Sequence, residues 1–424
     1  MTKTGMTISR RAALSATAAL FAAARAATPR GAFAQGTTTP EVTKVTLGYI
    51  ALTDSAPLIV AKEKGLFAKY GMPDVEVVKQ ASWGATRDNL VLGGGSGGID
   101  GAHLLSPMAY LLQAGKITQN SQPLAMNIVA RLNTNGQGLS VAAKHKGATI
   151  DAGALKGVLT PDSKVAMTFR GGTHDLWIRY WLAAAGIDPE KDAQTIVVPP
   201  PQMVANMKVG TMDAFCVGEP WPAQTVNQKL GYTAAVTGEL WKDHPEKAFA
   251  LRADWVKANP KAAEALTAAV IEAQRWCDAD ANKAEMCAII GKRAWFNVPV
   301  ADILERSRGN IDYGDGRKVE SSPLLMKFWR DNASFPFASH DLWFLTEDIR
   351  WGVLPENTDT KALVAQVNRA DVWRAAAARA GVPDSEVPQG DSRGVETFFD
   401  GKRFDPADPR AYLDSLSIKK LAGA

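Results

Sequence analysis

Residues 165–185, VAMTFRGGTHDLWIRYWLAAA, decide how the chain folds. Residues 165–169 read as a strand, Gly171-Gly172 as a turn and Thr173 as an N-cap, with Leu176, Ile178, Tyr180 and Trp181 as apolar positions of an amphipathic helix. A strand entering a helix through glycine is half of a βαβ unit. It also leaves unpaired backbone N–H groups at the positive end of the helix dipole, where a small anion meets donors and favourable potential together. His174 in the first turn adds one more donor. The competing reading makes Gly171-Gly172 a plain turn and His174 a solvated first-turn residue; this stretch alone leaves both open.

The same rhythm runs outward in both directions. Before it, strands are expected at 45–50, 75–78 and 124–132, and helices at 55–71, 83–92 and 107–113, with 98–102 a short link. From Gln137 a second set begins: strands at 138–142, 164–169, 195–198 and 212–217, with helices near 153–157, after Thr173, from Gln202 and after Glu219. Two such sets predict an α/β protein of two lobes about a cleft. Ligands in open α/β sheets gather beyond the carboxyl ends of the strands, here Thr53, Ser82-Trp83, Asn135-Gly136-Gln137, Gly172-Thr173-His174 and Gly218-Glu219. After Phe249 the pattern turns helical, at 261–278, 281–294, 323–332 and 340–351, and 382–408 reads as surface loop. His174-Asp175-Leu176-Trp177 recurs as His340-Asp341-Leu342-Trp343; the flanks differ, so we read a shared helix-start grammar and no repeat.

The leader has a different character. Ser9-Arg10-Arg11 precedes a weakly apolar, alanine-rich run, and Ala32-Phe33-Ala34 is a small-x-small cleavage site, so 1–34 is expected to be a twin-arginine signal peptide cut after Ala34. Those residues hold five of the 48 basic and none of the 44 acidic side chains, leaving 43 against 44. A balance so near neutral speaks against nucleic acid or anionic membrane as a partner. No later segment supplies 18 uninterrupted apolar residues, so no membrane span is expected. Cys216, Cys277 and Cys287 contain no CxxC pair and read as buried thiols.

Enzyme signals fail on context. Gly94-Gly95-Ser96-Gly97-Gly98 fits GxSxG, but a nucleophile elbow needs a strand before the serine and a helix after it, and the run lacks the Lys-Ser/Thr of a P-loop. The five histidines never fall three to five residues apart, so neither a metal site nor a cofactor is expected. Single polar or aromatic residues at strand ends remain: Trp83, Gln137, and Lys247 in His244-Pro245-Glu246-Lys247, each with a core, turn or surface alternative.

Four strings carry a longer likeness: SWGATRDNLVLGGGSGGIDGAHLL (82–105), GGTHDLWIRYWLAAAGIDP (171–189), VVPPPQMVANMKVGTMDAFCVGEPW (197–221) and TGELWKDHPEKA (237–248). From about residue 44 to about 350 the chain resembles the nitrate and bicarbonate binding proteins of ABC transporters. That resemblance implies a type II periplasmic binding-protein fold, with lobe 1 from 42–136 and 248–424 and lobe 2 from 137–247. It implies a monomeric periplasmic protein, not an enzyme, that passes a small oxyanion to a membrane permease. It also implies that Trp83 stands beside the anion, Gln137 is an amide donor, His174 a ligand, Lys247 the cationic partner and Pro200 a cleft-wall residue, with Val217, Gly218 and Glu219 lining the cleft. Nitrate has no proton to donate, so its site is expected to offer only donors, and the empty cleft to stay open and wet around the ammonium. In the bicarbonate binders an acid takes the place of the lysine, so nitrate, with nitrite second, is favoured. Bicarbonate, a sulfonate, or a sensor role through a partner protein are the alternatives.

Overall fold

The computed structural model describes residues 39–422. The signal peptide expected at 1–34 lies outside them. Ten strands build two sheets: β1 (Lys44–Tyr49), β2 (Asp74–Lys79), β3 (Gly101–Leu105), β4 (Met126–Arg131), β5 (Gln137–Ala142), β6 (Lys164–Met167), β7 (Gln194–Val197), β8 (Ala214–Gly218), β9 (Gly231–Val236) and β10 (Lys247–Arg252). Their orders are β2-β1-β3-β10-β4 and β7-β6-β8-β5-β9. In each five-stranded sheet four strands share one direction, and the remaining one, β10 or β5, is antiparallel to both its neighbours. That odd strand is the one arriving from the other sheet: the chain crosses once between Arg131 and Gln137 and returns between Val236 and Lys247. The residue that ends each crossing, Gln137 for the first and Lys247 for the second, thereby opens a strand that points away from the seam between the sheets.

Seven helices matter to the site: α1 (Ala56–Glu63), α2 (Trp83–Leu92), α3 (Thr173–Ala184), α4 (Trp221–Asn227), α5 (Pro260–Asp278), α6 (Ala301–Ser307) and α7 (Ala338–Arg350). The Ser82 side chain caps α2 by accepting from the Ala85 N–H at 3.1 Å, and Gly93, at φ +77°, ends it. Residues of α3 are buried almost without exception, because α7 covers the face that the sheet leaves open. α7 also packs on the helix Ser106–Gln113, so this C-terminal element touches structure built from both strand sets. Cys216, Cys277 and Cys287 are buried and unpaired, and no described helix is long and apolar enough to cross a membrane.

Several expectations are corrected. The link expected at 98–102 contains the start of β3, whose glycine lets the strand run tight against Leu251: a Cβ at Gly101 would stand 2.3 Å from that side chain. β9 and β10 were not anticipated. Lys247, placed at the end of lobe 2, is the first residue of β10 in the first sheet. The helix expected at 153–157 is a single turn, Ala152–Leu155. Residues 323–332 are not the expected helix but an extended bridge and a turn. Thr134 pairs there with Lys327, and the Asp278 carboxylate takes the Phe328, Trp329 and Arg330 N–H groups. The tail at 382–408 is largely exposed, yet Phe398 and Phe404 anchor it in the core.

Candidate functional site

The two sheets meet where β5 and β10 begin. Gln137 projects from β5, Lys247 from β10 and His174 from the first turn of α3, and all three are fully buried. His174 Nε2–H donates to Gln137 Oε1 at 2.8 Å, while the Thr168 hydroxyl donates to Nδ1 at 2.6 Å. The Gln137 amide donates to Asp54 Oδ2 at 3.2 Å and to the Asn135 carbonyl at 3.1 Å, which fixes its orientation and with it the imidazole tautomer. The Lys247 ammonium lies 3.0 Å from Asp54 Oδ2, 3.1 Å from Glu246 Oε1 and 3.4 Å from Gln137 Oε1. Asp54 comes from the turn after β1, where His103 of β3 donates to its other oxygen at 2.6 Å. Trp83 completes that side, its ring centroid 5.3 Å from His103 and its indole N–H buried without a partner.

Hydrogen bonds sew the two sheets' loops together around this cluster. The Thr53 N–H donates to the Glu219 carbonyl at 2.7 Å, and the Trp221 indole to the Ala51 carbonyl at 3.1 Å. Gly218 has to be glycine here: a Cβ would stand 2.6 Å from Gln137 Oε1 and 3.3 Å from Asp54 Oδ2. A narrow cavity opens beside the cluster, lined by Thr53, Gly136, Gln137, Glu219, Arg306 and Met326.

Electrostatics follow from burial and spacing. Burial works to lower the Lys247 ammonium, but Asp54 and Glu246 outweigh it and hold its pKa above the ordinary value. Burial likewise works to raise the Asp54 carboxyl, but Lys247 and His103 hold it well below the usual range. Glu246 goes the other way: burial, reinforced by Asp54 and only partly opposed by Lys247, pushes it up to about 7. Burial, with Lys247 adding to it, drives His174 far below the ordinary imidazole value. The neutral imidazole and the carboxamide therefore act as oriented dipoles around one fixed cation.

Residues 38–291 match the model of a protein family described as NMT1-like. The chain belongs to the NMT1-like family. Within reach of that family stands the nitrate/nitrite binding protein NrtA of Synechocystis PCC 6803, 62% identical over 91% of this chain and 88% of that protein. The crystal structure of that periplasmic nitrate-binding protein matches with a TM-score of 0.88, covering 90% of this chain and 100% of the other. The bicarbonate-binding protein CmpA of Synechococcus elongatus is 44% identical over 91% of this chain and 89% of its own length. A nitrate import ATP-binding protein, NrtC of the Synechocystis strain, is 34% identical over 88% of this chain, which spans 55% of that protein. The fold is thus that of the periplasmic binding proteins, as the resemblance implied.

Within this NMT1-like frame the structure gathers Trp83, Gln137, His174, Lys247 and Gly218 in one buried cluster. Val217 is buried one residue back along β8. Glu219 turns its carboxylate away, onto Arg306 Nη1 at 2.7 Å and the Ala223 N–H at 3.1 Å. Pro200 heads the short turn after the edge strand β7, and its carbonyl is taken by the Met203 N–H, so it adds no polar contact to the cluster. The Gly94–Ser96 run is an exposed turn between α2 and β3.

Three expectations fail. Thr173 is not the N-cap; Gly172 is, and the Thr173 hydroxyl donates to Glu246 Oε1. The N–H of Gly171 is claimed by Asp175 Oδ2 at 2.9 Å, so the helix start is less open to an anion than the sequence suggests. The site is also not built of donors alone, nor open: Asp54 and Glu246 are carboxylates, buried against the lysine. A desolvated ammonium left without a counter-charge costs several kcal/mol, which the two acids offset. Asp54, Glu246 and His103 were missed, although Glu246 is the sequence neighbour of Lys247 and Asp54 follows the flagged Thr53.

Proposed function

We propose that this chain captures nitrate, with nitrite as a second ligand, and delivers it to an ABC importer. The observation that carries the reading is the buried Lys247 ammonium met by Gln137 and His174, with Trp83 packed behind them on His103, in a chain so close to a nitrate/nitrite binding protein. Lys247 supplies the charge and the Trp83 indole N–H a free donor, while the Gln137 carboxamide and the His174 N–H, bonded to Asp54, Asn135 and each other, turn from those partners to the anion. Gly218 keeps the floor low, while Val217, Glu219 and Pro200 form the walls. Lobe 1 is 42–136 with 248–424, to which Lys247 at the head of β10 also belongs, and lobe 2 is 137–246, and ligand holds them together by contacts with both. The protein works as a monomer by binding and not by turnover, after export through the twin-arginine route and cleavage behind Ala34. Likeness to the nitrate import ATP-binding protein supports an importer as the recipient.

A second reading has its own observation. Asp54 and Glu246 are acceptors, and bicarbonate has an O–H to give them. Calorimetry and thermal melts with nitrate, nitrite, bicarbonate and a sulfonate separate the readings, since a ligand that binds only the folded form raises its stability by mass action. Nitrate is expected to bind at micromolar or tighter Kd; no heat with nitrate but heat with bicarbonate overturns the first reading. Lys247→Glu is expected to weaken nitrate at least about 100-fold, close to 3 kcal/mol.

A further inference from the structure

Glu246 is the least compensated charge in the cluster. Its Oε1 meets the Lys247 ammonium at 3.1 Å, the Thr173 hydroxyl, and His174 Nε2 at 3.4 Å. Its Oε2 is buried with no hydrogen-bond partner. Asp54, the other acid on the same lysine, has both oxygens engaged, by His103 on one and by Lys247 and Gln137 on the other. The charged and titratable groups facing Glu246 are Asp54 after β1, His174 on α3 and Lys247 on β10, with Cys216 on β8 behind them. His103 and His244 stand one shell further out, and burial keeps both imidazoles below their ordinary pKa.

A monovalent anion beside Lys247 would place three negative charges around one ammonium in a fully buried site. Uncompensated buried charge is costly, and the group that neutralises most readily takes a proton instead. Asp54 is held ionised by the Lys247 ammonium on one oxygen and the His103 N–H on the other. Glu246 is not: its free oxygen has nothing to lose by protonation, and burial already pushes its carboxyl up to about 7. The same residue discriminates between anions. A protonated Glu246 is a donor, suited to an anion that has none; an ionised Glu246 is an acceptor, suited to an anion carrying an O–H.

We propose that Glu246 is a ligand-contacting and specificity-determining residue: when a proton-free oxyanion such as nitrate enters, Glu246 takes one proton from solvent onto its unpartnered oxygen, keeps it, and donates a hydrogen bond to the anion through it. An anion with its own O–H binds with Glu246 ionised and takes up no proton. This rests on the anion-binding reading above.

Calorimetry of the full chain with nitrate, repeated in buffers of different ionisation enthalpy, counts the protons. Uptake is expected to approach one per nitrate at about pH 8.5 and to fall toward zero at about pH 5.5, with nitrate affinity weakening about tenfold per pH unit above 7. In Glu246→Gln the uptake and the pH dependence are expected to vanish, whereas His174→Gln retains the uptake. Should Glu246→Gln fail to fold, infrared difference spectra of the native chain serve in its place: nitrate is expected to raise a protonated-carboxyl band, and its absence overturns the proposal. Nitrate heat that does not depend on the buffer, or uptake that persists in Glu246→Gln, overturns it while leaving the nitrate reading intact. No nitrate heat at any pH overturns both.

Discussion

The sequence His-Asp-Leu-Trp occurs twice, at 174–177 in α3 and at 340–343 in α7, and the two copies do unlike work. His174 lies in the polar cluster with both ring nitrogens bonded, to Thr168 and Gln137. His340 lies among aromatic rings, with Trp241 at 5.5 Å and Phe337 at 5.3 Å, and neither ring nitrogen has a partner; Glu396 stands 3.8 Å off, beyond bonding distance. Asp175 ties its own helix, to Arg179 Nε at 2.5 Å and the Gly171 N–H, whereas Asp341 reaches Arg131 of β4 and Asn368. Only the tryptophans agree: Trp177 and Trp343 stack on each other at 4.9 Å and 17°. Four residues at a helix start therefore set a local shape, while the elements facing them assign the role.

The stack is where the copies cooperate, and it gives the largest expected effect. Trp343 is fully buried between Trp177, Trp241 and Phe398, and its indole N–H bonds Tyr412. Trp343→Ala is expected to destabilise the chain by about 3–5 kcal/mol, read from urea midpoints. A loss below about 1 kcal/mol would mean that α7 merely rests on α3.

Next in size is the divergence of the histidines. His174→Ala is expected to weaken nitrate about 10- to 100-fold, about 1.4–2.7 kcal/mol, because Gln137 Oε1 and the Thr168 hydroxyl lose their partner at the ligand. His340→Ala is expected to lower the melting temperature and leave nitrate affinity within about twofold, since affinity follows contacts at the ligand. Equal losses of affinity in both variants would break the contrast drawn between them.

Much of the frame was legible because periodicity survives burial. The helix expected at 83–92 is α2 residue for residue, and the long alanine-rich helix differs from α5 by one. β3 was missed because glycine reads as a link where it in fact admits the neighbouring strand. β10 was missed because His244-Pro245-Glu246-Lys247 looks like a polar turn, while its lysine is buried at the head of a central strand. The residues that converge on the ligand position were legible as strand-end singletons, helped by the family likeness. Their counter-charges were not, since Asp54 arrives from a turn 193 positions away from Lys247 and no spacing rule connects them. Electroneutrality connects them: a lysine that the fold buries requires an acid within reach.

Titration separates the histidines by a smaller amount. Burial drives His340 down to about 3, so it stays neutral in the fold, whereas in the unfolded chain an imidazole titrates near 6.5. Below that value the unfolded state binds a proton that the folded state refuses. The contribution of His340 is therefore present above about pH 6.5 and is lost as the pH falls toward 3; between pH 6.5 and 5 the loss amounts to about 1–2 kcal/mol. Glu246 has the opposite sign over a neighbouring window, since a raised carboxyl favours the fold at low pH and loses that contribution as pH rises from about 4.5 to 7. Absolute melting curves of the native chain mix the two, so the informative quantity is the difference between the native chain and His340→Phe. A phenyl ring keeps the contacts with Trp241 and Phe337 and removes the titration. Between pH 7 and pH 5 the variant is expected to lose less stability than the native chain by about that 1–2 kcal/mol. Parallel losses would place the acid sensitivity on the other buried imidazoles, His103, His174 and His244, and not on His340.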